Sequence, residues 1–489
     1  MKLLRWVVLA ATVTAVVLGT AAGAPAGPSA CDTRANNTHA KLLECVTLDG
    51  AREHQAALQA IADANNGTRV SGSPGYDASA AYAAGVFSAA GYDVTVQPFQ
   101  FQTFVSLAPS ILERVAPPPA GPIQNTILSY SGSGDVTAPV SSPSPATGCN
   151  AADWAGFVPG NIALVLRGPA GCTFAIKALN ALAAGASAVV IYNNVAGPVN
   201  GTLGNTFTAN IAVTSVTQSD GLTLASTPGL VLHVKTSTLR GIATTYNVLA
   251  ESKGGDPNNV VMVGAHLDSV NAGPGINDNG SGTAAILETA EQMAKVKPRN
   301  KVRFALWGAE ESNLVGSTYY VTNLPAADLA KIALYLNFDM IGSPNHVFFV
   351  YDGDDSDAVG AGPGPAGSAQ IEKTFEAFYN RRGLPFKGTD FSGRSDYGPF
   401  IAAGIPSGGL FTGAEGIKTA AEAALWGGTA GQAYDPCYHQ ACDTYANVNL
   451  AALDVNVDGV AYATLQYAMN TLDVNGVRGK GNFPPPGSE

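Results

Sequence analysis

Charged side chains are scarce in this 489-residue chain, at 13% of residues, and the balance among them is acidic, with 26 Lys and Arg against 37 Asp and Glu. No basic stripe offsets that balance, and an acidic surface repels the phosphates of nucleic acid and of anionic lipid, so neither is an expected partner. After the N-terminus no stretch reaches the ~18 uninterrupted apolar residues that a membrane-spanning helix needs. Cysteine is sparse at six residues. None of them stand in CxxC spacing, which argues against a thiolate zinc site. Histidine is equally rare, again six residues, so a histidine that recurs in a pattern is informative.

The N-terminus does carry an apolar run. MKLLRW, the run VVLAATVTAVVLGTAAGA and the small-residue site Ala22-Gly23-Ala24 form a secretory signal peptide over residues 1–24. Its removal takes away Lys2 and Arg5 and makes the charge more negative. The mature protein is expected outside the cell, free of the membrane and monomeric. Cys31 ends PSAC, but Pro28 stands where lipidation requires an aliphatic residue, so a lipid anchor is not expected. Export makes disulfides plausible, and nearness in sequence favours Cys31–Cys45, Cys149–Cys172 and Cys437–Cys442.

Texture divides the chain. An extension over 25–49 precedes a segment 50–115 with two helix patterns, AREHQAALQAIADANNG and DASAAYAAGVFSAAG, and the alternating strand YDVTVQPFQFQTF. VAPPPAGP at 115–122 breaks both periods and reads as a linker. In 116–238 short β-like runs (NIALVLRG, SAVVIYNN) flank one helix, FAIKALNALAAGA. From 239 to 475 buried strands alternate with amphipathic helices: VVMVGAHL, GTAAILETAEQMAKV, KVRFALWGA, KIALYLNFDMI. That alternation predicts an α/β fold with a mostly parallel, mixed sheet flanked by helices. Residues 476–489 form a Pro/Gly-rich tail.

Five candidate metal donors recur in the second half: His266 in AHLDS, Asp278 in GINDNGSG, Glu311 in LWGAEES, Asp339 in YLNFDMIGS and His439 in CYHQAC. In open α/β sheets reactive groups gather beyond the carboxyl ends of strands, and His266, Glu311 and Asp339 each follow a buried strand. Two imidazoles and three carboxylates suit two zinc ions sharing one bridging carboxylate. Glu310 adjoins a donor and is placed to act as a base. The other four histidines (His39, His54, His233 and His346) read as ordinary surface or core residues. Taken singly, Asp278 could be a helix N-cap and Glu310-Glu311 a solvated helix start; the joint pattern carries the argument.

HLDS, NDNGSG, WGAEE, NFDMIG, GRSDYGPF, GLFTGAE and CYHQACD together resemble the M28 family of zinc aminopeptidases, in its secreted leucine-aminopeptidase branch. The resemblance covers roughly residues 50–115 and 240–475. The middle piece, GCNAADWAGFVPGNIALVLRGPAGCTFAIKALNALAAGASAVVIYNN, resembles a β-rich protease-associated (PA) domain inserted into the peptidase. The resemblance implies His266 and Asp339 on one zinc, Glu311 and His439 on the other, and Asp278 bridging both. It implies Asp268 as the carboxylate orienting His266, Glu310 as general base and Tyr438 as oxyanion partner. It implies Met340, Gly393, Arg394 and Phe411 around the substrate, which would be a peptide with a free N-terminus and a large apolar first residue such as Leu. Asp454 and Asp458 in LDVNVDGV resemble a calcium site, with no clear partner carboxylate near Cys45 and Val46. A zinc carboxypeptidase and a non-catalytic binding protein are the competing readings. The first would need a cation cluster in the pocket, and the second would be expected to have lost donors.

Overall fold

The computed structural model describes residues 30–168, 171–197, 199, 201–479 and 483. The expected signal peptide and most of the tail lie outside them. A mixed sheet runs through the molecule, and its centre is parallel: strand Asn300–Trp307 lies alongside Asp256–His266, which lies alongside Ile332–Phe338, which lies alongside Ser407–Phe411. Towards their carboxyl ends these strands are mostly apolar and buried on both faces, as parallel sheets covered by helices require. Helices Leu48–Ala64, Pro74–Ala89, Gly280–Met293 and Leu450–Met469 supply much of one covering layer, with Leu58, Phe87, Ile286 and Val460 among its buried side chains. Thr47, Ser73 and Asn279 cap three of these helices through their side chains.

A second block repeats the theme on a smaller scale. Strands Gly134–Ser141, Ile162–Leu166, Ala188–Tyr192 and Ala212–Val216 pair in parallel, with helix Phe174–Ala183 between the second and third and helix Gln218–Ala225 after the last.

Two long strands join the blocks. Asp93–Ala116 pairs antiparallel with Val231–Glu251 along its whole length, from Asp93↔Glu251 to Ala116↔Val231. Val231–Glu251 meets the Asn300–Trp307 strand at one end and Gly134–Ser141 at the other. The segment 115–122, expected as a linker, is instead the turn of a hairpin, since Arg114 pairs with Gly121. The strand expected to end near residue 104 continues twelve residues further, to Ala116. Over residues 102–111, opposite 237–244, no position of this ribbon is buried, so the in–out alternation that marks a half-buried strand fades, and Pro109 is tolerated because the strand lies at an edge.

The sequence-proximal cysteines are paired: Cys31–Cys45, Cys149–Cys172 and Cys437–Cys442. Among the described residues no helix is long and apolar enough to cross a membrane.

Candidate active site

Register brings the donors level. Gly264 lies beside Asn337 and His266 beside Trp307. Two residues on from the first pair, His266 and Asp339 stand together at the strand ends, with Glu310 and Glu311 just past Trp307. Helix 280–293 closes in from the side. A Cβ on Gly282 would collide with the Phe338 carbonyl, so only glycine lets this helix start against the end of that strand and set Asp278 beside Asp339. Asn279 fixes the same junction, donating from Nδ2 to the Phe338 carbonyl at 2.9 Å.

The five donors form two triads that share a carboxylate. His266, Asp278 and Asp339 make one, and Asp278, Glu311 and His439 the other; within each, one candidate atom per residue lies within 4.8 Å of the rest. His266 Nε2 stands 3.1 Å from Asp278 Oδ1 and 3.4 Å from Asp339 Oδ1. His439 Nε2 stands 3.3 Å from Asp278 Oδ2 and 3.0 Å from Glu311 Oε2. The two oxygens of Asp278 thus face different imidazoles. Three non-glycine residues with left-handed backbone frame the site: Ala309 before Glu310, Met340 after Asp339, and His439 itself. Such conformations cost free energy and persist where the surroundings impose them.

A ring of buried contacts holds the donors. The Asn277 and Asp278 N–H groups donate to the two oxygens of Asp443, at 2.8 and 2.9 Å. Ser395 Oγ donates to Asp339 Oδ2 at 2.6 Å. Arg69, fully buried, donates to the carbonyls of Leu267, Pro274 and Gly275, and so clamps the loop between His266 and Asp278. Asp268 faces the His266 ring with two groups. Its backbone carbonyl, at 3.1 Å, is nearer His266 Nδ1 than its carboxylate, at 3.6 Å, which instead accepts the Glu310 N–H at 3.2 Å. Asp268 therefore links the first imidazole to Glu310. Asp443, Ser395 and Arg69 were not singled out in the sequence, although Asp443 and Ser395 lie inside the quoted CYHQACD and GRSDYGPF.

The site fits a divalent cation. Glu311 Oε1 and Asp339 Oδ1 are buried with no hydrogen-bond partner, a costly state for carboxylate oxygens unless positive charge meets them. Imidazole with carboxylate is a donor set suited to zinc. The electrostatics agree. Burial would lower the His439 pKa, but Glu311 and Asp278 raise it to about 11. Burial would raise that of Asp278, but His266 and His439 hold it well below the usual carboxylate range.

Glu310 belongs to neither triad. Its Oε2 is 3.8 Å from His266 Nε2, and burial, aided by Glu311, Asp396 and Asp339, pushes its carboxyl well above the ordinary range. Beside it opens a cavity of about 340 Å³ whose walls include Met340, Phe349, Tyr351, Phe411, Tyr434 and Tyr438. Of the four expected substrate-binding residues, Met340, Arg394 and Phe411 reach this cavity, whereas Gly393 is not on its wall. Arg394 donates to Glu415 at 2.7 Å and to the Tyr438 hydroxyl at 3.2 Å, so its charge is already paired. Tyr438 stacks on His439, ring centroids 3.8 Å apart.

Asp454 and Asp458 lie a turn apart on helix 450–469. Asp458 pairs with Arg382 at 2.6 Å, and neither belongs to a group of three or more His, Cys, Asp or Glu donors among the described residues. The Arg382 guanidinium thus meets the charge of Asp458.

Paired His/carboxylate triads at the strand ends of a helix-covered sheet, opening on a pocket with an unligated glutamate, define a metal-dependent hydrolase. Comparison with known proteins makes the class specific. Peptidase family M28 matches residues 247–464, and a PA domain matches residues 134–224. An aminopeptidase of Pseudomonas aeruginosa is 47% identical over 450 residues, covering 89% of this chain and 83% of the relative. Leucine aminopeptidase 2 of Arthroderma otae is 50% identical over 327 residues, 66% of this chain and 65% of the relative. The solved structure of BSAP, a zinc aminopeptidase from Bacillus subtilis, superposes with a TM-score of 0.61 at 26% identity, covering 86% and 94% of the two chains. This chain belongs to peptidase family M28 and is a zinc metallo-aminopeptidase with a PA domain.

Proposed function

We propose that the protein is an exported aminopeptidase that uses two zinc ions to release large apolar residues, Leu foremost, from the N-termini of peptides. The observation that carries this is the sharing of Asp278: its oxygens face His266 and His439 separately, so two cations could share one carboxylate. In this reading His266 and Asp339 would hold one ion and Glu311 and His439 the other, with Asp278 available to both. Zinc supplies Lewis acidity there, polarising a carbonyl and bringing the pKa of water towards neutrality.

The chain's own groups do the rest. Glu310, buried beside His266 with its Oε2 3.8 Å from Nε2, takes the proton of the attacking water at a carboxylate oxygen and passes it to the leaving amine. The Tyr438 hydroxyl, steadied by Arg394, donates to the oxygen on which negative charge grows. Glu310 and Asp339 attract the substrate's free ammonium, with the Arg394 carbonyl as a further acceptor. Met340, Phe349 and Phe411 offer an apolar wall to the first side chain. Among the described residues Arg394 is the one Lys or Arg on the cavity wall and it is paired, so a substrate carboxylate finds no free cation among them, which favours amine over carboxylate recognition.

Export is supported by the N-terminal signal pattern and three disulfides. Cys31 is bonded to Cys45, which occupies the sulfur that a lipid anchor would need. The test is a panel of aminoacyl-p-nitroanilides with the protein recovered from culture medium. Leu should be cleaved fastest, N-acetyl-Leu not at all, and chelation should abolish turnover until zinc is returned. Equal rates on Leu, Glu and Lys would refute the preference, and cleavage of the blocked substrate would refute the amine requirement.

A further inference from the structure

Beyond the active site, the described residues hold two further groups of donors. Asp352, Asp354 and Glu372 are all carboxylates, and nothing else there points to a ligand. His54, Glu288 and Glu291 differ. They join helix 48–64 to helix 280–293, with one candidate atom from each lying within 4.8 Å of the others.

The imidazole is set up as an outer partner leaves a metal-binding histidine. His54 is 95% buried, being 5% exposed, and its Nδ1 is held by the Tyr82 hydroxyl at 2.7 Å. That contact leaves Nε2 aimed at the two glutamates, buried and without a hydrogen bond, with Glu291 Oε2 3.3 Å away. An imidazole with one nitrogen anchored and the other free beside carboxylates is the arrangement that second-sphere contacts impose on metal ligands.

Glu288 is 3% exposed, and its Oε1 accepts the Thr47 N–H at 3.1 Å. Its carboxylate fits against helix 48–64 because residue 50 is glycine, where a Cβ would stand 2.6 Å from Oε1. Burial lifts its pKa to about 7. Both glutamates fall in the second half of helix 280–293, towards the negative end of the helix dipole, and no basic residue occupies the last turn. Glu291 is 40% exposed at its side chain, which leaves a way in for an ion and for water.

We propose that His54 Nε2, Glu288 and Glu291 form a structural site for a divalent cation of zinc-like preference, separate from the catalytic pair. It ties helix 48–64 to helix 280–293, whose first residue follows Asp278 by two. The ion meets the buried charge of Glu288 and braces the helix at whose start Asp278 stands, about 15 Å away along the axis at ~1.5 Å per residue.

The test compares wild type with Glu291→Gln, a conservative change at a half-exposed position away from the catalytic cavity. Both are dialysed to equilibrium against buffered zinc, and metal per chain is measured. Wild type should hold one zinc more than Glu291→Gln, whatever the total, while turnover of Leu-p-nitroanilide at saturating zinc is unchanged. Zinc should also raise the wild-type Tm by several degrees more than that of the variant. Equal zinc contents overturn the site, and unequal contents with equal Tm shifts overturn its bracing role. Loss of zinc at the catalytic pair would lower both totals together, so the two readings fail separately.

Discussion

Arg69 makes no contact with any proposed zinc ligand side chain, yet it should control the site. Its guanidinium is fully buried and donates to three carbonyls of the loop that separates His266 from Asp278: Leu267, Pro274 at 2.8 Å and Gly275 at 2.7 Å. In Arg69→Met the Leu267 and Pro274 carbonyls lose their donor, whereas Gly275 keeps the Gly280 N–H at 3.0 Å. A buried acceptor left without a partner costs ~1–3 kcal/mol, so two cost on the order of 2–6 kcal/mol. Relief from burying a cation offsets part of this, leaving a net loss of about 2–4 kcal/mol. Arg69→Lys should fall between, because one ammonium cannot span three carbonyls that a planar fork reaches together. The assay is urea unfolding followed by far-UV circular dichroism, with zinc release recorded in parallel. The loop should loosen first, so Arg69→Met should release zinc at lower urea than it loses helix. A stability change under about 1 kcal/mol, with zinc release and unfolding still coincident, would refute the reasoning.

Other perturbations separate the site from the scaffold. The Cys437–Cys442 bond closes a loop of sequence separation 5 around His439, whereas Cys149–Cys172 spans 23 in the PA region. Loop entropy assigns them about 2 and about 3.5 kcal/mol respectively. Cys437→Ser/Cys442→Ser should therefore reduce zinc content and kcat/KM more than stability, and Cys149→Ser/Cys172→Ser should do the reverse on Leu-p-nitroanilide; equal effects on activity would contradict this. The pH dependence of stability should carry a histidine signature. Burial first, then Lys418, lowers the His346 pKa from 6.5 to about 4. A base depressed in the folded state contributes stability above pH 6.5 that is lost as pH falls towards 4, here roughly 1–2 kcal/mol after allowing for partial exposure. His346→Gln should lose less Tm than wild type between pH 7 and 4, and parallel curves would dismiss the effect.

What could be read before folding followed from local period and from one topological rule. Apolar strands such as VVMVGAHL and IALYLNF announce a buried parallel sheet, and such sheets collect polar residues at their carboxyl ends. His266, Glu310, Glu311 and Asp339 were therefore visible as candidates long before their distances were known. Pairings of cysteines close in sequence were legible for the same local reason. The rest needed three-dimensional partners. The ribbon 93–116 with 231–251 has no buried position over 102–111, so the strand's middle has no alternation to read, and its Pro-rich turn resembles a linker. Arg69 stands some 200 residues from the carbonyls it holds. Phe349 and Tyr351 belong to a short strand whose apolar character looks like core until the pocket is seen to open beside it. His54 looked ordinary because its glutamates come from another helix. Asp268 was assigned through its carboxylate, but the turn after His266 presents its backbone carbonyl to the ring.

In the proposed mechanism Glu310 moves the proton while five other residues hold zinc. Glu310→Gln keeps size and hydrogen-bonding capacity but cannot accept the proton, so the decisive measurement is zinc per chain and kcat on Leu-p-nitroanilide for that one variant. Zinc content should equal that of wild type while kcat falls by at least ~10²-fold, the scale of a lost general base. Wild-type-like kcat at full zinc content would remove Glu310 from the chemistry, and loss of zinc with the substitution would make Glu310 a ligand instead.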